Sequence, residues 1–234
     1  MIAVFRRELR AFFISPIAYV FIAVFLAISG YYFWGYQLYQ GSSDFSSMFS
    51  AIFSIVLFLS PLLTMRVFSE ERRNKTDQVL ITAPVSLSSI VTGKYIASVI
   101  VFLVGQLVML VYLWIIAANT TVEYAVFFSS FIGLLLVGMA LCSIGIFISA
   151  LTENQIIAAV GALAINIVLY FINSISYITS NSTISSICKN IAFYTRYKNF
   201  TTGILNPADL VFFLSVIVLF NFLTVRALEK RRWS

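Results

Sequence analysis

The sequence contains no histidine, which removes imidazole acid–base catalysis and histidine metal ligation. Charge is nearly as scarce. Lys, Arg, Asp and Glu together make up 10% of 234 residues, and only nine residues are acidic. There are two cysteines. Cys142 falls in an expected membrane span and Cys188 in an expected outer loop, so no intrachain disulfide is expected, and Cys142 reads as a small packing residue. No HExxH, GxSxG or aspartate pair lies inside an apolar run, which leaves an intramembrane hydrolase without its chemistry. Gly93-Lys94 is the one GK pair, but Tyr95 follows it and the glycine five residues earlier is missing. A P-loop needs both features, so ATP hydrolysis by this chain is excluded.

What the chain has is hydrocarbon. Hydrophobic residues reach 61%, with 23 Phe and 12 Tyr, against about 45–50% apolar in a soluble domain. Charge-free runs cover 11–43, 45–65, 95–122, 124–152, 154–188 and 210–225. About 20 apolar residues cross a bilayer as a helix. Five runs clear that length, and the sixth gains reach from Asp209 and Arg226 at its ends. The sequence therefore predicts an all-α membrane protein of six transmembrane helices, at 17–37, 46–66, 91–116, 124–150, 154–175 and 208–226. RRELR before the first run resembles a signal peptide. The run exceeds the usual h-region and has no A-x-A exit, so a retained span is expected.

The net charge of +6 follows topology and gives no reason to expect nucleic acid, because Lys and Arg mark cytoplasmic loops. With the N-terminus inside, Arg6, Arg7, Arg10, Arg66, Arg72, Arg73, Lys75, Lys94, Arg226, Lys230, Arg231 and Arg232 are cytoplasmic, twelve of fifteen basic residues. Both termini are then inside. Residues 1–15 set Phe5, Leu9, Phe12 and Phe13 on one helical face with Arg6, Arg7 and Arg10 largely opposite, the pattern of an interfacial amphipathic helix. Tyr31, Tyr32, Trp34, Tyr36 and Tyr39 form an expected outer aromatic belt.

Two inserts interrupt an otherwise economical chain of 234 residues read as one transmembrane domain. The first is a charged island within 67–89, where six of the eight residues from 70 to 77 are charged. Pairing of Glu71 with Lys75 and of Arg73 with Asp77 at i,i+4 favours a helix. Val79, Leu80 and Ile81 give it an apolar end, Pro84 stops it, and Ser86 or Ser88 caps the next helix as the chain re-enters the bilayer. Topology alone does not require the acids, so a docking helix is the better reading than a solvated loop. The second insert, 176–207, is polar at first and then mixes aromatic and basic residues in ICKNIAFYTRY. It reads as a short outer helix forming a gate or a partner contact, with Phe193, Tyr194, Arg196 and Tyr197 as its candidates.

Three stretches carry a resemblance: RVFSEERRNKTDQVLITAPVSLSSIVTGKY, LTENQIIAAV at 151–160 and LFNFLTVRALEKRRW at 219–233. Together and in order they resemble permease subunits of type-2 ABC transporters, most closely the gliding-motility-type branch. The resemblance implies a cytoplasmic coupling helix made by Glu70, Glu71, Arg72, Arg73, Asp77, Val79, Leu80 and Ile81, with Glu153 and Asn154 as a second cytoplasmic contact. It also implies two separate ABC ATPase subunits that hold ATP and Mg, no cofactor on this chain, and a second permease chain, identical or paralogous. A multi-pass protein of a bacterial cell membrane, surrounded by lipid, exporting its substrate by alternating access, with an extracytoplasmic auxiliary partner at the outer insert, completes that expectation.

Inside the membrane, Gln106, Asn166 and Asn221 sit near the middle of spans three, five and six. Amides there more often hydrogen-bond between helices than line a substrate path. The alternative functions are an ion-coupled secondary transporter, which usually places a titratable group in its spans, and a non-transporting scaffold, which has no use for the charged island. The uncharged, aromatic-rich interior suits lipids, lipid-linked glycans or hydrophobic peptides better than small ions.

Overall fold

The computed structural model describes residues 2–76, 86–178 and 190–232, with side chains for all of these except 173–178 and 232. Among the described residues there are ten α-helices, one π-helical turn and no strand. The α-helices are α1 Ile2–Ile14, α2 Pro16–Phe33, α3 Ser46–Thr64, α4 Ser69–Arg73, α5 Leu87–Gln106, α6 Val108–Ala117, α7 Tyr124–Leu151, α8 Gln155–Ile178, α9 Phe193–Thr201 and α10 Pro207–Arg232. Six helical stretches are long and apolar enough to cross a membrane, as the charge-free runs predict.

Local chemistry sets the helix starts. Ser15 is extended, accepts from Ile17 N at 3.3 Å and places Pro16 at the first helical position, where its missing N–H costs nothing. Ser86 is the cap of α5, accepting from Ser89 N at 3.4 Å. Asn206 Oδ1 accepts from Ala208 N at 3.0 Å ahead of α10. Beyond Phe33 the first span continues as a π-helix, Trp34–Tyr39. Tyr31, Trp34 and Tyr39 are exposed there, while Tyr32 stacks on Tyr36.

The third span departs from a single helix. It breaks at Leu107 into α5 and α6, where a Leu110 N to Leu107 O bond marks one tight turn. Inserted side-chain contacts are a usual cause of such breaks. Here Gly105 lies against the rings of Phe21 and Phe25, and Gln106 is drawn to the α7 backbone.

Helix α7 is the axis of the bundle, more buried than any other membrane-length helix, whereas α8 and α10 lie mostly exposed. It packs on α3, α5, α8, α9 and α10. Lipid tails give helices no hydrophobic reason to associate, so close backbone approach and dispersion must do so. Three α7 glycines provide that approach to three different neighbours. A Cβ at Gly133 would stand 2.6 Å from Phe200 of α9, one at Gly138 2.2 Å from Phe102 of α5, and one at Gly145 2.1 Å from Thr64 of α3. Outward faces of α8 and α10 are apolar and exposed, with Ile156, Val160, Val168, Phe171, Val211, Leu214, Val218 and Phe222 among them. Faces of that size on spanning helices meet lipid or another chain.

Candidate functional site

Helix α1, the last turn of α10 and helix α4 gather at one end of the bundle, opposite α9. The chain turns after α3 and enters α4, whose own N-cap, Phe68, has no side-chain oxygen to offer. Ser149 of α7 supplies the cap instead. Its Oγ accepts from Phe68 N and Ser69 N, each at 3.1 Å, and donates to Met65 O at 3.0 Å. Ser69 Oγ also donates to Met65 O. A lost cap costs about 0.5–2 kcal/mol, and here it would orphan two buried N–H groups. Ser149→Ala is expected to speed amide exchange at Phe68 and Ser69 while leaving that of mid-span α7 unchanged. Wild-type exchange at these two amides would refute the role given to Ser149.

Over the described part of the island the helix is short, and its expected apolar end at 79–81 lies outside the described residues. Helix α4 is five residues long and stops at Lys75, which takes φ 57°. Thr76 N bonds Glu71 O at 2.9 Å and Lys75 N bonds Arg72 O at 3.1 Å. These are the two bonds of a Schellman ending, with lysine at the left-handed position usually held by glycine. The turn carries Lys75 away from Glu71, so the i,i+4 pair does not stand. Glu71 points into the protein instead.

There it closes a ring of four charges drawn from three helices. Arg7 Nη2 of α1 lies 2.6 Å from both Glu8 Oε1 and Glu71 Oε1. Lys94 Nζ of α5 lies 3.2 Å from Glu8 Oε1 and 3.0 Å from Glu71 Oε2. The last contact is an ion pair whose angle is not that of a hydrogen bond. Lys94 Nζ also donates to Val67 O at 2.7 Å and stands 4.9 Å over the Phe68 ring. Its side chain is 1% exposed, against 12% for Glu8, 17% for Glu71 and 50% for Arg7. Removing one partner of a buried pair is strongly destabilising, because it strands the other charge. The sequence places Lys94 at the start of the third span, 91–116, and the structure adds that it is buried and paired. Lys94 lies seven residues inside α5, two turns from Leu87, and is buried.

A second set of contacts fixes the other edge of α4. Arg72 donates from Nη1 to Ala150 O at 3.0 Å and pairs with Glu153 at 3.2 Å, and Arg231 of α10 lies 3.6 Å from the same carboxylate. Arg66 pairs with Glu70 at 2.9 Å and donates to Ser15 Oγ. Arg73, Asn74, Lys75 and Thr76 are exposed. Arg73 faces Glu153, Asn154, Gln155 and Ile156 across a cleft of about 640 Å³. The site is thus a short helix bonded to three helices and the Glu153 loop behind it, and open in front.

The structure thus sets six membrane-length helices around a Gly-lined axis, with a charged segment between the second and third. In sequence, the family described as ABC-2 family transporter protein matches residues 34–225. The chain belongs to this family. No curated protein matches it. It is therefore a multi-pass membrane protein and a permease subunit of an ABC transporter, a family that works with an ATPase subunit.

Of the permease's sequence-predicted site residues, Glu70, Glu71, Arg72 and Arg73 lie in α4, and Glu153 and Asn154 lie across the cleft from Arg73. Asp77, Val79, Leu80 and Ile81 fall outside the described residues. Among the span amides, Gln106 Nε2 donates to Phe131 O at 2.7 Å, and Asn166 Nδ2 donates to Leu57 O at 2.8 Å and Ser60 Oγ at 3.0 Å. Both join neighbouring helices. Asn221 Nδ2 bonds Ile217 O of its own helix at 2.8 Å. At the opposite end, α9 realises the expected short helix. Phe193 and Tyr197 are buried in it, Tyr194 meets Phe53 and Tyr170, and Arg196 pairs with Asp209 at 2.8 Å while lying over Phe212. Sequence reasoning passed over Glu8, Lys94, Ser149 and Asp209 as site residues.

Proposed function

We propose that this permease forms the membrane path of an ATP-driven exporter, with both termini in the cytoplasm and residues 67–89 seated on its ATPase. Two permease chains and two ATPases make the working unit, and substrate moves by alternating access. The observation that supports this reading most is the fastening of α4. Its back is bonded to α1, α5, α7 and the Glu153 loop, and its exposed edge at 73–76 faces outward beside Asn154. Basic residues cluster at this end even when buried Lys94 is set aside, leaving eleven of fifteen (twelve less one), which favours the cytoplasmic side.

Magnitudes assign the roles. Shifting a two-state membrane domain from 1:99 to 99:1 takes about 5.5 kcal/mol of differential interaction. Exposed ion pairs contribute about 0–1 kcal/mol each, so Arg73 and its neighbours set register and partner choice. The stroke itself falls to apolar packing by Val79, Leu80 and Ile81 against the ATPase. An extracytoplasmic partner at α9 and a lipid-like cargo are consistent with this scheme. Leu80→Asp is expected to leave a folded permease whose bound ATPase hydrolyses ATP without transport. Transport at the wild-type rate by that variant refutes the coupling assignment, and a permease that transports in liposomes without any ATPase refutes the whole reading.

A further inference from the structure

The Gly93-Lys94 pair has no nucleotide role, yet its surroundings are built with unusual care. Gly93 is where α1 meets α5: a Cβ there would lie 3.3 Å from Phe5 N and from Val4 Cβ. The next residue, Lys94, reaches Glu8 on α1, Glu71 on α4 and Val67 O on the chain leading into α4. Arg7 closes the circuit between Glu8 and Glu71. Two cations and two carboxylates balance, so the ring carries no net charge and is complete only when α1, α4 and α5 are all in place. A cleft of about 260 Å³ opens beside it, lined by Arg7, Glu71, Asn74, Thr76 and Lys94 among others. The ring is therefore next to the exposed edge of α4 and not remote from it.

We propose that Gly93 and Lys94 form a joint that makes α1, α4 and the start of α5 one body, with Lys94 the positioning residue that carries displacement of the coupling segment into the third span and the N-terminal helix. Within a packed ring of this kind, α4 cannot shift alone without stranding a desolvated ammonium or carboxylate. The motion is thus shared by helices that flank the bundle, and α1 travels with the segment the ATPase pushes. The push rests on the function proposed above; the joint does not.

The test uses full-length permease, alone and bound to its ATPase, with nitroxide labels at the exposed positions Arg10→Cys and Asn74→Cys in a Cys188→Ser background. Lys94→Met alone leaves Glu8 and Glu71 to share Arg7, with one negative charge in excess, so it is paired with a variant neutral at all three positions, Lys94→Met with Glu8→Gln and Glu71→Gln, which removes the ring and leaves only half-exposed Arg7 charged. In the wild type the distance between labels is expected to stay narrow and constant between nucleotide-free and vanadate-trapped complexes. In the neutral variant it is expected to broaden in the permease alone and to change on trapping. A neutral variant that keeps the narrow wild-type distribution in both states overturns the joint, as does a wild type whose distance changes on trapping as much as the variant's. If no ATPase binds, the coupling reading fails by itself, and the distribution in the isolated permease still decides the joint.

Discussion

Gly138→Ala is expected to unfold at a lower temperature than the wild-type permease, although alanine is the better helix former. In an ordinary helix the change would stabilise by up to about 1 kcal/mol. At Gly138 the new Cβ would stand 2.2, 2.3 and 2.8 Å from three carbons of the Phe102 ring, where non-bonded carbons prefer about 3.5–4.0 Å. Phe102 cannot turn aside freely. It is 1% exposed and held between Phe21 and Phe25, with ring centroids at 6.2 and 6.3 Å. Helices α5 and α7 must then part. Overpacking costs about 1–3 kcal/mol, and this contact lies at the severe end, so the loss exceeds the propensity gain. Gly30→Ala is the control, since its nearest outside atom is Tyr112 Oη at 3.5 Å, and it is expected to be neutral or stabilising. Equal melting temperatures for the two variants in detergent would refute the close approach of α5 to α7.

The spans were legible because charge-free length is a direct physical requirement of the bilayer, and no tertiary detail alters it. Cys142 was legible as a small packing residue of α7, but the partners of Gly133, Gly138 and Gly145 were not, since these three face different helices and only the fold names them. The island shows why charge is harder to read. Along the chain its acids read as directed outward, because neighbours four apart on a helix are the nearest partners a sequence offers. Lys75 entering the left-handed region ends that helix, and Glu71 finds Lys94 and Arg7, distant in sequence. One signal was available. Lys94 follows the cap residue Ser86 by eight positions, which sets it two turns inside a helix, and a lysine at that depth needs an anion. Glu8 was equally readable as the acid among three arginines on an amphipathic helix. Ser149 gave no signal, because a serine capping a different helix has no pattern along the chain.

Tyr197→Ala is expected to be the most disruptive single change at the opposite end. The ring is fully buried, stacks on Phe53 at 4.9 Å between centroids, and its hydroxyl donates to Phe49 O at 3.2 Å. Truncating a buried aromatic costs about 3–5 kcal/mol, whereas Tyr197→Phe loses only a hydrogen bond of about 0.5–1.5 kcal/mol. A second fastening is independent of the first. Asp209, 3% exposed, accepts from Arg196 Nη1 at 2.8 Å and Asn199 Nδ2 at 2.7 Å, which ties α9 to the start of α10. That tie is the weaker one, because Arg196 remains partly exposed and its charge can turn to water. Hydrogen exchange across 193–201 separates the two fastenings. The alanine variant should lose protection throughout α9 and the phenylalanine variant should keep it. Retained protection in Tyr197→Ala would mean that the aromatic plug does not hold this helix. Its loss would show that α9 is set by one ring inserted between α3 and its neighbours.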